Sequence, residues 1–250
     1  MTTLSSLPQQ HWLPVESNPE TFNNYATKLG LDISQVSFID VLSTEEWALE
    51  MVPAPIYAMA CLFPIKEASE AHKASEEALR VANLTSKGES YIDPSHSVFF
   101  IKQSIPNACG TIALIHAIAN AIGTIPDSSL SSDSWLQTFI SKHITSSPDE
   151  KALALENDKA LEAAHDAAVQ DGQSDIVDDT WQHFFCLVEN NGILYELDGR
   201  KQSPISHGPT SQVTFLTDCI TVIRGFMARD PEELRFTMLA LTKTIQEMEE

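Results

Sequence analysis

The chain has 250 residues, 43% of them apolar and 20% charged, enough to bury a substantial core and too little charge for a disordered chain. Acidic residues outnumber basic ones by 35 to 15, and the net charge of −20 argues against a nucleic-acid partner, since phosphate binding needs clustered Lys and Arg. That charge favours a basic partner or simply serves solubility.

In chain order, residues 20–29 ("ETFNNYATKL") carry Phe22, Tyr25, Ala26 and Leu29 on one helical face and stop at Gly30. The stretches 37–42 ("SFIDVL") and 55–65 ("PIYAMACLFPI") read as strands, the second apolar throughout as a central strand would be. A polar, alanine-rich helix is expected over 66–80 and a strand over 97–103. From Cys109 to Ile122 the pattern is helical and apolar nearly all round, so this helix should be buried. The run from Ile112 to Ile122 contains His116 and Asn120 and is too short and too polar to cross a bilayer, and the N-terminus lacks a secretory signal. A soluble, cytoplasmic protein is expected.

Residues 127–147 are Ser-rich around Trp135, Phe139 and Ile140. Residues 148–179 are acidic, alanine-rich and poor in large apolar side chains; their first part has helical spacing, but the segment is expected to be a mobile surface excursion. Over 183–200 ("HFFCLVENNGILYELDGR") two apolar runs flank Asn191-Gly192, the strongest hairpin signal available. A helix over 214–230 and a final apolar segment over 231–241 follow. With neither repeats nor a Pro/Gly linker, the chain reads as one domain, 1–250.

The hairpin carries chemistry. A two-residue Asn191-Gly192 loop pairs Asn190 with Ile193 and sets Phe185 opposite Asp198. His183 and Asp198 then become diagonal neighbours on one face, about 7–8 Å apart at the backbone. The carboxylate can orient the imidazole. Alternatively, the two are ordinary turn and edge residues. Cys109 tips the balance, because it opens a buried helix whose free N–H groups and dipole favour the thiolate. Gln103, six residues earlier, is a neutral donor toward an oxyanion. Cys61, Cys186 and Cys219 lie inside apolar elements and read as packing residues. His116 reads as a satisfied core histidine, whereas His11, His72, His96, His143, His165 and His207 lie in polar or loop contexts. No Cys-x-x-Cys or His-x-x-x-His spacing calls for a metal, and no cofactor is implied.

These segments resemble the ubiquitin C-terminal hydrolases, papain-like thiol hydrolases of the small single-domain type. The resemblance runs through "WLPVESNPETFNNYATKLGL", "FIDV", "MVPAPIYAMACLFPI", "KQSIPNACGTIALIHA", "HFFCLVENNGILYELDGRKQSPISHG" and "RDPEELRFTMLAL". It implies an α+β fold, a central antiparallel sheet flanked by helices, with a knotted chain path. It also implies Cys109 as nucleophile, His183 as general base and acid, Asp198 as the carboxylate orienting it, and Gln103 in the oxyanion hole. Residues from about 148 to 174 would be a crossover loop above the site, admitting small or unstructured adducts; otherwise they are only a solvated excursion. Asp40 would contact ubiquitin, or else is an edge charge. The implied partners are ubiquitin, its small adducts and related ubiquitin-like modifiers, bound by a monomer. Two other readings stand beside this one: a ubiquitin-binding protein with incidental turnover, and another papain-like protease or acyltransferase.

Overall fold

The computed structural model describes residues 11–66, 98–173 and 181–245. Helix α1 (Pro19–Leu29) starts where the Asn18 side chain accepts from the Thr21 N–H and Pro19 presets the first turn. It ends at Gly30, which takes the left-handed conformation (φ 107°) that lets its N–H cap the last turn. Then come β1 (Val36–Asp40), the single turn α2 (Glu46–Leu49) and β2 (Ile56–Pro64). Beyond the residues left undescribed lie α3 (Cys109–Ala121), α4 (Trp135–His143), α5 (Pro148–Glu156) and α6 (Lys159–Gln170). The chain closes with β3 (Gln182–Asn190), β4 (Ile193–Leu197), β5 (Ile205–Pro209), α7 (Phe215–Met227) and β6 (Thr237–Lys243).

The strands form one antiparallel sheet in the order β1-β6-β2-β3-β4-β5. Every residue of β2 is buried because both of its edges are paired and both of its faces are covered. Alternation nevertheless operates inside this apolar run. Ala58, Ala60 and Leu62, with Phe184, Cys186 and Val188 of β3, join the core built with α1 and α3. Met59, Cys61 and Phe63, with Phe185 and Leu187, join the core built with Phe215, Cys219, Ile220, Ile223 and Phe226 of α7. Each large apolar side chain so buried stabilises the fold by roughly 1.5–3 kcal/mol. In α3 every residue except Asn120 is buried, as its all-round apolar pattern requires. The architecture is thus the α+β antiparallel sheet between helices that the family resemblance implied. The expected helix over 66–80 falls almost wholly outside the described residues, as do the internal stretches 67–97 and 174–180 through which the expected knot would have to be traced. Among the described residues no helix is long and apolar enough to cross a membrane.

Two expectations are corrected. Residues 98–102 are buried or half-buried but join no strand ladder. Side chains of α3 satisfy the backbone of Phe99 and Ile101 instead. Asn120 Oδ1 accepts from the Phe99 N–H at 2.7 Å while its Nδ2 donates to the Phe99 carbonyl at 2.9 Å, and the Ile101 N–H donates to His116 Nε2 at 2.9 Å. Likewise, 148–170 is no loose excursion. A capping box between Ser147 and Glu150 starts α5, Asp158 caps α6, and Ala152, Leu155, Leu161, Ala168 and Val169 are buried in the α1–α3 core. Small alanines allow close approach there where large apolar residues were looked for.

Candidate active site

The turn before Cys109 has Pro106 followed by Asn107 at φ 61°, the pair a type II turn calls for, and the Ala108 N–H closes it on the Ile105 carbonyl at 3.3 Å. Left-handed backbone costs most residues about 1–2 kcal/mol, and asparagine bears it best after glycine. The turn delivers Cys109 to the first position of α3, 7% exposed. No side chain caps this helix start, so its N–H groups and dipole remain available to an anion.

The hairpin register is as expected from the Asn191-Gly192 turn: Asn190 pairs with Ile193 and Cys186 with Leu197. Asp198 stands just past the end of β4. His183 Nε2 and Asp198 Oδ1 lie 2.6 Å apart, both side chains buried. The Arg200 N–H donates to the same carboxylate oxygen at 2.9 Å. With Nε2 committed to Asp198, the imidazole hydrogen-bonds Cys109 through its other nitrogen, and the Phe63 ring stands edge-on against it at 5.8 Å. Burial alone would push the His183 pKa down, but the Asp198 charge and hydrogen bond, reinforced by Cys109, raise it to about 9. Burial likewise opposes the Cys109 thiolate, yet the hydrogen bond and charge of His183 and the N–H groups of Phe184 and Gly110 hold its pKa below the usual thiol value. Burial also opposes ionised Asp198, and His183 outweighs it, so the carboxyl titrates well below its usual range. An imidazolium between a carboxylate and a thiolate is the arrangement that these directions favour.

Gln103 is brought to the same place. Its N–H donates to the Gly199 carbonyl at 2.8 Å, and its side-chain Nε2 donates to the Ile105 carbonyl at 3.2 Å. Gly199 permits this contact, since a Cβ there would stand 3.0 Å from Gln103 Cβ and 3.1 Å from its nitrogen. Asp40 is not part of the cluster. It is exposed at the end of β1, with β6 and β2 between it and β3, and partial burial raises its pKa. Cys61, Cys186 and Cys219 are buried, and burial pushes each thiol up, as packing cysteines require. His116 is fully buried, stacked on Phe100 at 5.4 Å. Among the described residues no His, Cys, Asp and Glu group suits a metal.

Sequence reasoning missed two clusters. Glu196, 2% exposed, pairs with Lys201 Nζ at 2.5 Å and His207 Nε2 at 2.9 Å, and the Lys201 N–H donates to the Asp198 carbonyl at 2.9 Å. This trio braces the turn holding Asp198; the alternation along β4 was the one signal pointing Glu196 inward. The second centres on His165, placed by the sequence in a polar context but fully buried. Its spacing from Leu161, Ala168 and Val169 marks it as part of the inner face of α6.

A buried thiol, imidazole and carboxylate at the seam between a helix and an antiparallel sheet define the class of papain-like cysteine hydrolases. The family model described as ubiquitin carboxyl-terminal hydrolase, family 1, matches residues 12–228, and the chain belongs to that family. It is 42% identical over 237 residues to a Drosophila melanogaster ubiquitin carboxyl-terminal hydrolase, spanning 94% of this chain and 99% of the relative. To isozyme L1 of Homo sapiens it is 39% identical over 230 residues, 92% of this chain and 97% of that one. In fold it resembles the Trichinella spiralis UCH37 catalytic domain bound to ubiquitin vinyl methyl ester, with TM-score 0.69, 21% identity, and 96% and 100% of the two chains covered.

Proposed function

We propose that this chain is a cysteine-type deubiquitinating hydrolase that cleaves small or unstructured adducts from the C-terminal glycine of ubiquitin, acting as a monomer in the cytoplasm within one catalytic domain. The continuous contact from Asp198 through His183 to Cys109 is the observation that carries this reading. The Cys109 thiolate attacks the glycine carbonyl. Oxyanion charge is met by the Cys109 backbone N–H and by Gln103, whose side-chain amide has two hydrogens and uses one on Ile105. The His183 imidazolium then protonates the leaving amine or thiol, and a thioester remains. Neutral His183 takes a proton from water as it attacks the thioester, releasing ubiquitin with a free carboxylate and restoring the ion pair.

The net charge of −20 suits a basic, extended tail such as ubiquitin's, and an exposed Asp40 is available to contact that partner or a related modifier. The chain after α6 begins with Asp171 held by Lys28 at 2.6 Å and with the Gln173 N–H on Glu16 at 2.7 Å. In this reading the stretch from about 148 to 174, carrying α5 and α6, is the crossover that borders the site.

Mass spectrometry after incubation with ubiquitin bearing a C-terminal electrophile tests the proposal, with wild type and Cys109→Ala compared. One adduct, absent from the variant, is expected. No adduct on wild type would sink the hydrolase reading, and equal cleavage of a Gly-Gly peptide and intact ubiquitin conjugates would indicate a general thiol protease.

A further inference from the structure

A buried histidine that the proposed chemistry leaves unused, His165, sits at a crossing of four chain segments. His165 Nε2 lies 2.8 Å from the Leu13 carbonyl, His165 Nδ1 2.9 Å from Thr111 Oγ1, and Thr111 Oγ1 3.1 Å from the Tyr25 hydroxyl. Proton positions follow from chemistry. A carbonyl only accepts, so Nε2 carries the hydrogen. In the neutral ring Nδ1 must then accept, so Thr111 donates to it, and the Thr111 oxygen accepts in turn from Tyr25. The chain runs in one direction, from Tyr25 through Thr111 and His165 to Leu13, and each polar atom in it is satisfied.

Both ends of this relay lead back to the nucleophile. Thr111 is in the first turn of α3, two residues after Cys109. On the other side, Leu13 follows Trp12, whose ring lies over the His165 ring at 4.2 Å. The Trp12 carbonyl accepts from Asn107 Nδ2 at 3.0 Å, and its N–H donates to the Pro106 carbonyl at 3.3 Å. The left-handed residue that aims Cys109 is therefore held by the residue that rests on His165. Val15, two residues beyond Leu13, packs against Gly110, where an added Cβ would stand 3.2 Å from the Val15 side chain.

We infer that His165 is a positioning residue for the nucleophile, holding the first turn of α3 through Thr111 and the Pro106–Asn107 turn through Leu13 and Trp12. This inference rests on Cys109 being the nucleophile. It assigns to α6 a part in setting the reactivity of a thiol that it does not itself bear.

Thr111→Val removes the donor at nearly constant volume, Thr111→Ser restores it, and His165→Phe keeps a ring under Trp12 without either hydrogen bond. For each variant we would measure the rate of iodoacetamide alkylation of Cys109 against pH, the labelling rate with the ubiquitin electrophile, kcat and KM on a ubiquitin thioester, and the thermal midpoint. The expected result is that Thr111→Val and His165→Phe lower kcat and electrophile labelling about tenfold with KM little changed. They also raise the pH at which Cys109 becomes reactive. Thr111→Ser returns kcat to within about twofold of wild type. Wild-type kcat and Cys109 titration in both disruptive variants, with or without a lower thermal midpoint, would overturn the inference, because a merely structural role moves only the midpoint. Absence of labelling in wild type would sink the hydrolase reading and this inference together, so the two failures are distinguishable.

Discussion

His183 and His165 are both buried histidines near the start of α3, and the protein uses them in opposite protonation states. Burial pushes the pKa of each downward. For His183 the neighbours are a carboxylate and a thiol, and their charges reverse the shift to about 9. For His165 they are a carbonyl and a hydroxyl, which cannot offset burial, and its pKa settles at about 4. One region thus holds a proton ready to move, and the other holds a fixed hydrogen-bond direction. What differs between them is whether a buried carboxylate stands beside the ring.

Removing that carboxylate's charge should break the contrast most severely. Asp198→Asn is expected to lower kcat by about a hundredfold or more and to move the alkaline limb of the pH–rate profile from about 9 toward the ordinary histidine range. A pH–rate profile with an unmoved limb would mean that the limb does not belong to His183.

Stability should separate the two histidines by sign. His165 binds a proton more readily unfolded than folded, so its contribution is present above pH 6.5 and is lost as pH falls toward 4. The loss is on the order of 3 kcal/mol at the acid end, and His116, with a pKa near 3, adds to it in the same direction. His183, raised to about 9, contributes stability that is intact below pH 6.5 and fades as pH rises through 9. Denaturant unfolding at pH 4.5, 7 and 9.5 should therefore give its highest value in the middle.

A smaller effect is expected from Gly199→Ala. The new Cβ must displace Gln103 by a few tenths of an ångström, which should lower kcat severalfold while leaving the alkaline limb at about 9. Lys159→Ala, at an exposed pair with Glu162, should leave kcat and thermal midpoint within error and so serves as the control.

What could be read from the sequence was whatever short-range rules decide. The Asn191-Gly192 turn set the hairpin register, which brought His183 and Asp198 within reach, and the Pro-Asn turn before an apolar run put Cys109 at a helix start. The segment 98–102 was misread because its apolar residues suit a strand, while its hydrogen-bond partners, Asn120 and His116, lie 21 and 15 residues away on a helix. Helices α5 and α6 were underrated because their burial relies on alanines and on a histidine whose partners, Leu13 and Thr111, come from distant segments. No local pattern announces such partners.

The hydrogen bonds from 98–102 to Asn120 and His116 also bear on motion. The segment hangs from α3 at two points a helical turn apart. Gln103, at its end, and Cys109, at the head of α3, therefore share one rigid frame. In deuterium exchange the amides of Phe99 and Ile101 should open with the interior of α3, keeping the oxyanion donor in step with the sulfur through every excursion short of unfolding that helix.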